Sequence, residues 1–137
     1  MKIRTELIHF SEALQLECGE TLDSFDLMIE SYGELNESKS NAILVCHAFS
    51  GNHHVAGENK ELGIGWWDQI VGPKKAIDTD KYYVVCCNNL GGCAGSSGPT
   101  SINKKTGKVF GKDFPQVSVS DWVNSQKILM DKLEISS

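Results

Sequence analysis

The sequence lacks the features that define membrane, secreted and nucleic-acid-binding proteins. Its longest uninterrupted apolar runs span residues 42–46 and 82–87, far short of the roughly 18 residues that a transmembrane helix needs. The first ten residues include Glu6 and His9 and contain no apolar run of the kind found in signal peptides. Acidic residues outnumber basic ones by 18 to 13, which disfavours a surface that binds nucleic-acid phosphates. We expect a cytoplasmic protein that binds neither membranes nor nucleic acids.

Cysteine pairs at the spacing of metal ligands are also absent. The chain has five cysteines, an odd number, and no CxxC pattern. Cys86 and Cys87 are neighbours in an apolar run, so in a strand their side chains point to opposite faces and cannot bind one metal ion together. We expect reduced thiols that pack like small apolar side chains, and no metal site.

The two apolar runs predict the centre of a β-sheet. Residues 42–46 and 82–87 show no polar alternation, which is typical of strands covered on both faces in a parallel sheet. About 35 residues separate the two runs, enough for the crossover connection that parallel strands require. Upstream, residues 13–17 and 25–32 flank the turn residues 18–21, and this arrangement predicts a β-hairpin.

From Ser118 onward the spacing of apolar residues changes to three and four, which predicts an amphipathic helix. Ser118 or Ser120 can cap the helix, and Asp121 places a negative charge in its first turn. The predicted apolar stripe, broken by Gln126, consists of Val119, Trp122, Val123, Leu129, Met130 and Leu133. Hairpin, two buried strands and helix together predict an α/β layer. Because so small a parallel sheet leaves open edges, we expect the chain to be part of a larger domain.

Two loops follow the predicted parallel strands at their carboxyl ends, where open α/β sheets bind ligands. In residues 46–54, a tight turn can supply a backbone N–H to an oxyanion hole if the chemistry is acyl transfer. The alternative is a plain turn with His47 hydrogen-bonded in place. Residues 88–99 are rich in glycine but lack the GxxxxGK[ST] and GxGxxG patterns of nucleotide-binding loops. That loop is therefore either functional or a structural cover of the sheet.

Several side chains in these segments are conceivable catalysts, but none stands in a defining pattern. They are three histidines, two serines and a cysteine: His47, His53, His54, Ser96, Ser97 and Cys93. The histidines lack the HExxH arrangement of zinc enzymes. Neither serine lies in a GxSxG pattern, and no histidine follows His54. Trp66 and Trp67 either line a pocket or fill space between a loop and the core, and we favour the second interpretation.

Eight segments, in order, match one known family. They are residues 32–36, 41–48, 53–57, 65–68, 78–82, 89–93, 95–103 and 114–115. Together they closely resemble the homoserine O-acetyltransferases, acyltransferases of methionine biosynthesis with an α/β-hydrolase fold. The resemblance covers nearly the whole chain from about residue 14. It implies that residues 1–137 are the N-terminal part of a single α/β-hydrolase-like domain, which stops before the strand and turn that carry the catalytic serine.

The resemblance assigns one site residue in this chain. Phe49, which follows His47 and Ala48, resembles the residue whose backbone N–H forms one side of the oxyanion hole. The family often has Leu-Thr where this chain has Phe49 and Ser50, a change that a backbone donor tolerates. The catalytic Ser, Asp and His would all lie outside these 137 residues, and no cofactor-binding residue is assigned.

The function that the resemblance implies is transfer of an acetyl group from acetyl-CoA, through a serine acyl-enzyme, to the hydroxyl of L-homoserine. Acetyl-CoA would be a co-substrate, with no bound cofactor, and the intact enzyme would be a homodimer. We expect the 137-residue chain alone to be inactive. The alternatives are succinyl-CoA as the donor, L-serine as the acceptor, or a truncated, non-catalytic binding module that uses Trp66, Trp67 and the glycine-rich loop.

Overall fold

A four-stranded mixed sheet forms the centre of the chain in the computed structural model, which describes residues 1–135. In chain order the strands are β1 Ile3–Phe10, β2 Leu14–Gln15, β3 Thr21–Leu22, β4 Phe25–Tyr32, β5 Ala42–Val45, β6 Glu58–Asn59, β7 Gly63–Ile64, β8 Val71–Gly72, β9 Ile77–Asp78, β10 Tyr83–Cys87, β11 Ile102–Asn103 and β12 Lys108–Val109. A 3₁₀ turn, Gly111–Asp113, precedes helix α1, Val119–Lys132. The order in the main sheet is β1-β4-β10-β5.

The two apolar runs form neighbouring parallel strands, as predicted. β10 pairs with β5 in parallel and with β4 in antiparallel register, and every residue of β10 is buried. β5 is less covered than its sequence predicts, since Leu44 is exposed. The physical reason is position: β5 is the last strand of the sheet that residues 1–135 form. The crossover between the two strands carries short two-residue ladders instead of a helix.

The prediction of a hairpin between residues 13–17 and 25–32 is wrong. β4 pairs along all eight of its residues with β1, whereas β2 pairs only with β3 in a small hairpin between them. The long pairing satisfies many more backbone groups than a two-residue ladder can. The sequence does not predict β1, because most of its side chains are exposed or half-buried and give no apolar pattern. Only Phe10 is fully buried. Its ring stacks on that of Phe25, with the ring centroids 4.7 Å apart.

Two apolar clusters cover the two faces of the sheet, and β10 contributes to both. Tyr83, Val85 and Cys87 belong to one cluster, which β4 and α1 complete. Val84 and Cys86 belong to the other, together with residues of the crossover connection. The prediction that the adjacent cysteines point to opposite faces is therefore confirmed. Burial raises the pKa of the Cys87 thiol to about 12 and also raises that of Cys86, so both thiols act as packing groups.

Helix α1 begins where the sequence predicts, and four of the six predicted stripe residues, Trp122, Leu129, Met130 and Leu133, pack against the core. Ser118 is the N-cap and forms a capping box with Asp121. Val119 and Val123 of the predicted stripe are mostly exposed. The buried positions are mainly polar: Asp121, Ser125, Gln126 and Leu129.

The buried polar side chains of α1 are hydrogen-bonded, Asp121 and Gln126 to loop residues and Ser125 within the helix. Asp121 shows this directly: one carboxylate oxygen accepts the Glu17 N–H at 3.0 Å and the other accepts the Ser118 N–H at 2.8 Å. A buried backbone N–H without an acceptor is costly, so a carboxylate at this position stabilises both the helix start and the loop after β2. At 14 residues, α1 is the longest helix in the described part of the chain, and no helix there is long and apolar enough to cross a bilayer.

Replacing Asp121 by alanine should destabilise the protein. The Asp121→Ala variant leaves the N–H groups of Glu17 and Ser118 without their acceptor and removes the capping box, a loss of about 1 to 3 kcal/mol. The matched control is Asp131→Ala on the exposed side of the same helix, where the ion pair with Lys127 contributes at most about 0.5 kcal/mol. Urea denaturation measures both, and equal midpoints for the two variants would contradict the assignment.

Candidate active site

The two loops predicted to carry chemistry meet at the carboxyl ends of β5 and β10. A cleft of about 320 Å³ lies between them. Its lining comes from both loops, from the segment before α1 and from α1 itself: His47, Phe49, Gly51, Asn88, Asn89, Leu90, Gly91, Gly92, Pro99, Phe114, Pro115, Val117 and Trp122. This lining contains no Asp, Glu, Lys or Arg, so the described part of the cleft is mainly aromatic and polar.

The loop after β5 makes a tight turn at the rim of the cleft. The Gly51 N–H donates to the Ala48 carbonyl oxygen at 2.8 Å, which places Phe49 at the second position of a β-turn. The Phe49 side chain is 89% exposed, and its ring lies 6.2 Å from that of Trp122. Among residues 1–135, no acceptor hydrogen-bonds the backbone N–H of Phe49.

His47 joins the two loops that form the cleft. Its Nδ1 lies 2.7 Å from the Ala48 carbonyl oxygen, and its Nε2 lies 3.2 Å from the backbone nitrogen of Asn89. A carbonyl only accepts and an N–H only donates, so these partners select the neutral tautomer with its proton on Nδ1. The interpretation of His47 as a hydrogen-bonded support for the turn agrees with this geometry.

The glycine-rich loop returns along β4 beyond the end of β10. Ser96 Oγ accepts the Met28 N–H at 2.9 Å and donates to the Asn88 carbonyl oxygen, while Ser97 Oγ accepts the Asp26 N–H at 2.8 Å. The two serines thus replace strand partners that β4 lacks at this end. Both hydroxyls are buried and committed to backbone groups, which accounts for these conceivable nucleophiles as structural residues.

This close approach requires a glycine. Gly95 has φ of +101°, and a Cβ there would lie 3.0 Å from Met28 Cβ. Because side chains disfavour both that backbone conformation and that distance, Gly95 allows Ser96 and Ser97 to reach β4. Cys93, in the same loop, is exposed and lies outside the cleft lining.

Helix α1 holds the glycine-rich loop from the other side through Trp122 and Gln126, which both lie along the predicted stripe. Trp122 Nε1 donates to the Leu90 carbonyl oxygen at 2.9 Å, and Gln126 Nε2 donates to Asn89 Oδ1 at 2.9 Å. Gln126, a polar side chain inside an otherwise apolar stripe, is the feature of the sequence that indicates such a contact. A buried glutamine needs partners, and here the partner belongs to the site.

The remaining candidates lie away from the cleft. His54 is buried against Glu30; His53 is also buried, with no hydrogen bond to its Nδ1 among the described residues. Within residues 1–135, no three His, Cys, Asp or Glu side chains are grouped so that they could hold a metal ion. Trp66 and Trp67 stack on each other with ring centroids 5.4 Å apart, and both are partly exposed, so they neither line this cleft nor fill a closed space.

The sheet order, the turn at the end of β5 and the cleft define part of an α/β-hydrolase fold. The chain is similar to a solved esterase, with 40% identity and a TM-score of 0.88 over 99% of this chain and 39% of the esterase. It is equally similar in structure to homoserine O-acetyltransferase from Bacillus anthracis, with 36% identity and a TM-score of 0.88 over 98% of this chain and 38% of that one.

Similar curated proteins are homoserine O-succinyltransferases. Identity is 58% with that of Alkalilimnicola ehrlichii, over 93% of this chain and 34% of the relative. It is 53% with that of Psychrobacter arcticus, over 97% of this chain and 31% of the relative. The chain therefore spans about a third of the length of these relatives, and no protein-family profile matches it. The similarities support the homoserine acyltransferase family and do not settle acetyl against succinyl specificity.

Replacing Ser96 by alanine should destabilise the protein, because the Met28 N–H and the Asn88 carbonyl would both lose a buried partner. The expected loss is about 1 to 3 kcal/mol in the free energy of unfolding. The control is Ser11→Ala, at an exposed position, where we expect a change within about 0.5 kcal/mol. If chemical denaturation gives the same stability for both variants, Ser96 does not serve as a substitute strand partner.

Proposed function

We propose that the protein containing this chain is a homoserine O-acyltransferase, which moves an acyl group from acyl-CoA to the hydroxyl of L-homoserine through a serine acyl-enzyme. The observation that carries the proposal is the exposed turn at Phe49. Its N–H lies at the carboxyl end of a parallel strand, beside a cleft, with no acceptor among residues 1–135. Attack on a thioester or ester develops negative charge on the carbonyl oxygen, and a fixed N–H stabilises that charge.

In this proposal Phe49 contributes its main chain to the oxyanion hole, and the neighbouring residues hold it there. His47 ties the turn to the loop after β10, and Trp122 and Gln126 tie that loop to α1. The serine nucleophile and its acid and histidine partners belong to sequence outside the 137 residues. We therefore propose that the chain is the N-terminal part of one acyltransferase domain and has no turnover by itself.

We propose succinyl-CoA as the acyl donor, with acetyl-CoA as the second candidate. Curated relatives at 53–58% identity are named homoserine O-succinyltransferases, which supports succinyl transfer over the acetyl transfer expected from the sequence. The composition of the cleft favours the second candidate: its described lining contains no lysine or arginine, so a succinyl carboxylate would need a cation from outside this chain. The solved acetyltransferase at 36% identity also supports it.

The rest of the proposal concerns the intact protein. We propose that it acts in the cytoplasm, in methionine biosynthesis, as a homodimer with no bound cofactor or metal and with acyl-CoA as its only co-substrate. L-serine in place of L-homoserine, or a non-catalytic binding module, are the competing functions.

The direct test is acyl transfer by the full-length protein. Release of free CoA thiol from succinyl-CoA or acetyl-CoA is measured with L-homoserine, with L-serine and with no acceptor. We expect release that depends on homoserine, with a severalfold higher kcat/KM for succinyl-CoA. A higher value for acetyl-CoA transfers the assignment to the acetyltransferases, dependence on serine changes the acceptor, and no release with any pair contradicts acyl transfer. The 137-residue chain alone is the negative control.

The role of Phe49 can be tested through its backbone. Proline is favoured at the second position of a β-turn but has no N–H, so Phe49→Pro removes the donor with little disturbance of the turn. We expect kcat to fall about 10²- to 10³-fold, whereas Phe49→Leu, which keeps the N–H, stays within a few-fold of wild type. Thermal unfolding of both variants is measured as the control, and we expect the fold to be retained in each. Equal kcat for the two would mean that this N–H does not bind the oxyanion.

A further inference from the structure

A buried cluster of hydrogen-bonding side chains joins β4 to the loop that carries the turn at Phe49. Glu30 and Tyr32 are two residues apart on β4, so both point to the same face of the sheet, and both are almost completely buried. His54, from the loop after β5, is buried against them. We call Glu30, Tyr32 and His54 the buried triad; it lies outside the cleft lining.

Glu30 is the acceptor at the centre of the buried triad. Its Oε2 lies 2.7 Å from His54 Nδ1 and also accepts the Tyr32 hydroxyl, and its Oε1 accepts the Thr5 hydroxyl at 2.9 Å. Tyr32 in turn joins the sheet to the loop, because its oxygen accepts the backbone N–H groups of Val55 at 2.7 Å and Ala56 at 3.1 Å. All three acceptor contacts with Glu30 are consistent with an ionised carboxylate.

The two ring nitrogens of His54 both face oxygens that cannot donate. Nδ1 faces the Glu30 carboxylate, and Nε2 lies 3.1 Å from the Gly63 carbonyl oxygen. A nitrogen forms a hydrogen bond to such an oxygen only if it carries a proton, so both contacts are made only when His54 is an imidazolium. This differs from His47, whose partners are one acceptor and one donor.

The charges around the buried triad leave His54 as the partner of Glu30. Burial raises the pKa of Tyr32, which stays a neutral donor, and burial lowers the pKa of the neighbouring His53, which stays neutral. Asp68, whose pKa is lowered by the Gly57 N–H and by Lys75, is paired with that lysine. Within residues 1–135, the only ion-pair partner of Glu30 is His54, and a buried carboxylate without a counter-charge is very unfavourable.

The part of the loop that carries the turn at Phe49 is anchored on both sides by buried residues. Val45, the last residue of β5, is buried in the sheet, and the next tertiary anchor of comparable burial is the segment from His53 to Ala56. Trp67 N–H donates to the Val55 carbonyl oxygen at 2.8 Å, so the segment after β7 is also held to this anchor. Between the two anchors the turn at Phe49 projects into solvent.

We propose that His54 is a positioning residue: as an imidazolium paired with Glu30, it anchors the loop so that the turn presents the Phe49 N–H to the cleft. This inference deepens the proposed acyltransferase function and rests on it for its catalytic part. The protonation of His54 is a property of the fold and can be tested without any activity.

The first experiment is nitrogen NMR of the full-length protein labelled with ¹⁵N-histidine, with the His54 signals assigned by their loss in His54→Gln. We expect a directly bonded proton on both ring nitrogens of His54 at neutral pH in the wild type, and on only one in Glu30→Gln. The matched control is Asp26→Asn, because His9 and Asp26 form an exposed pair with Nδ1 and Oδ1 2.6 Å apart; this change should leave the His54 signals unaltered. A single ring proton on wild-type His54 overturns the inference.

The second experiment separates positioning from binding. In Glu30→Gln we expect kcat to fall about 10- to 100-fold, as displaced catalytic groups typically cause, with the KM for acyl-CoA little changed, while Asp26→Asn retains wild-type kcat. Tyr32→Phe, which removes the acceptor for the Val55 and Ala56 N–H groups, should lower kcat while both His54 protons remain. If the wild type is active and both folded variants keep wild-type kcat, the positioning role is wrong and the proposed function stands. If the wild type is inactive with every acyl-CoA, the proposed function is wrong, and the NMR result still decides the protonation of His54.

Discussion

The difference in length between β4 and its neighbour β10 is the constraint from which the rest of this structure follows. β4 pairs with β1 along eight residues, but β10 pairs only with residues 29–32 of β4. The backbone groups of Asp26 and Met28 therefore need partners that no strand supplies. Ser96 supplies the acceptor for the Met28 N–H, Ser97 pairs with both backbone groups of Asp26, and the Asn88 N–H donates to the Met28 carbonyl oxygen. These bonds bring the glycine-rich loop back over the sheet. The returning loop forms one side of the cleft, through Leu90, Gly91 and Gly92.

The sequence was sufficient to predict the elements whose burial is apolar. The runs at 42–46 and 82–87 are parallel neighbours, and the two loops after them meet. The N-cap of α1 at Ser118 was predicted from polar capping residues instead. The sequence was not sufficient where backbone pairing decides the outcome without an apolar pattern. β1 alternates poorly because most of its side chains face solvent, so its eight-residue pairing with β4 could not be read from hydrophobicity. The pairing of β1 becomes evident only in the tertiary structure, where β4 has β1 as its partner along all eight residues.

The candidate site was predictable in location but not in construction. Strand ends pointed to the loops, which meet at the cleft. The resemblance to homoserine O-acetyltransferases pointed to Phe49, whose role stays a prediction. The supporting contacts come from Trp122 and Gln126 on α1 and, in the proposal above, from the pairing of His54 with Glu30. Polar residues on a helix face and a histidine in a loop acquire partners only through tertiary contacts between distant segments, and no local pattern encodes such pairings. The inward polar face of α1 shows the same principle, since Asp121 and Gln126 are buried to satisfy loops.

At Phe49 the main chain and the side chain have separate places in the proposed function. In the proposed role its contribution to the reaction is a main-chain hydrogen, whereas its ring projects into solvent beside Trp122. A point mutation there can alter the shape of the entrance without deleting the electrostatic element. In the proposed function, a change of the Phe49 side chain therefore alters the rim of the cleft while the main-chain donor stays in place.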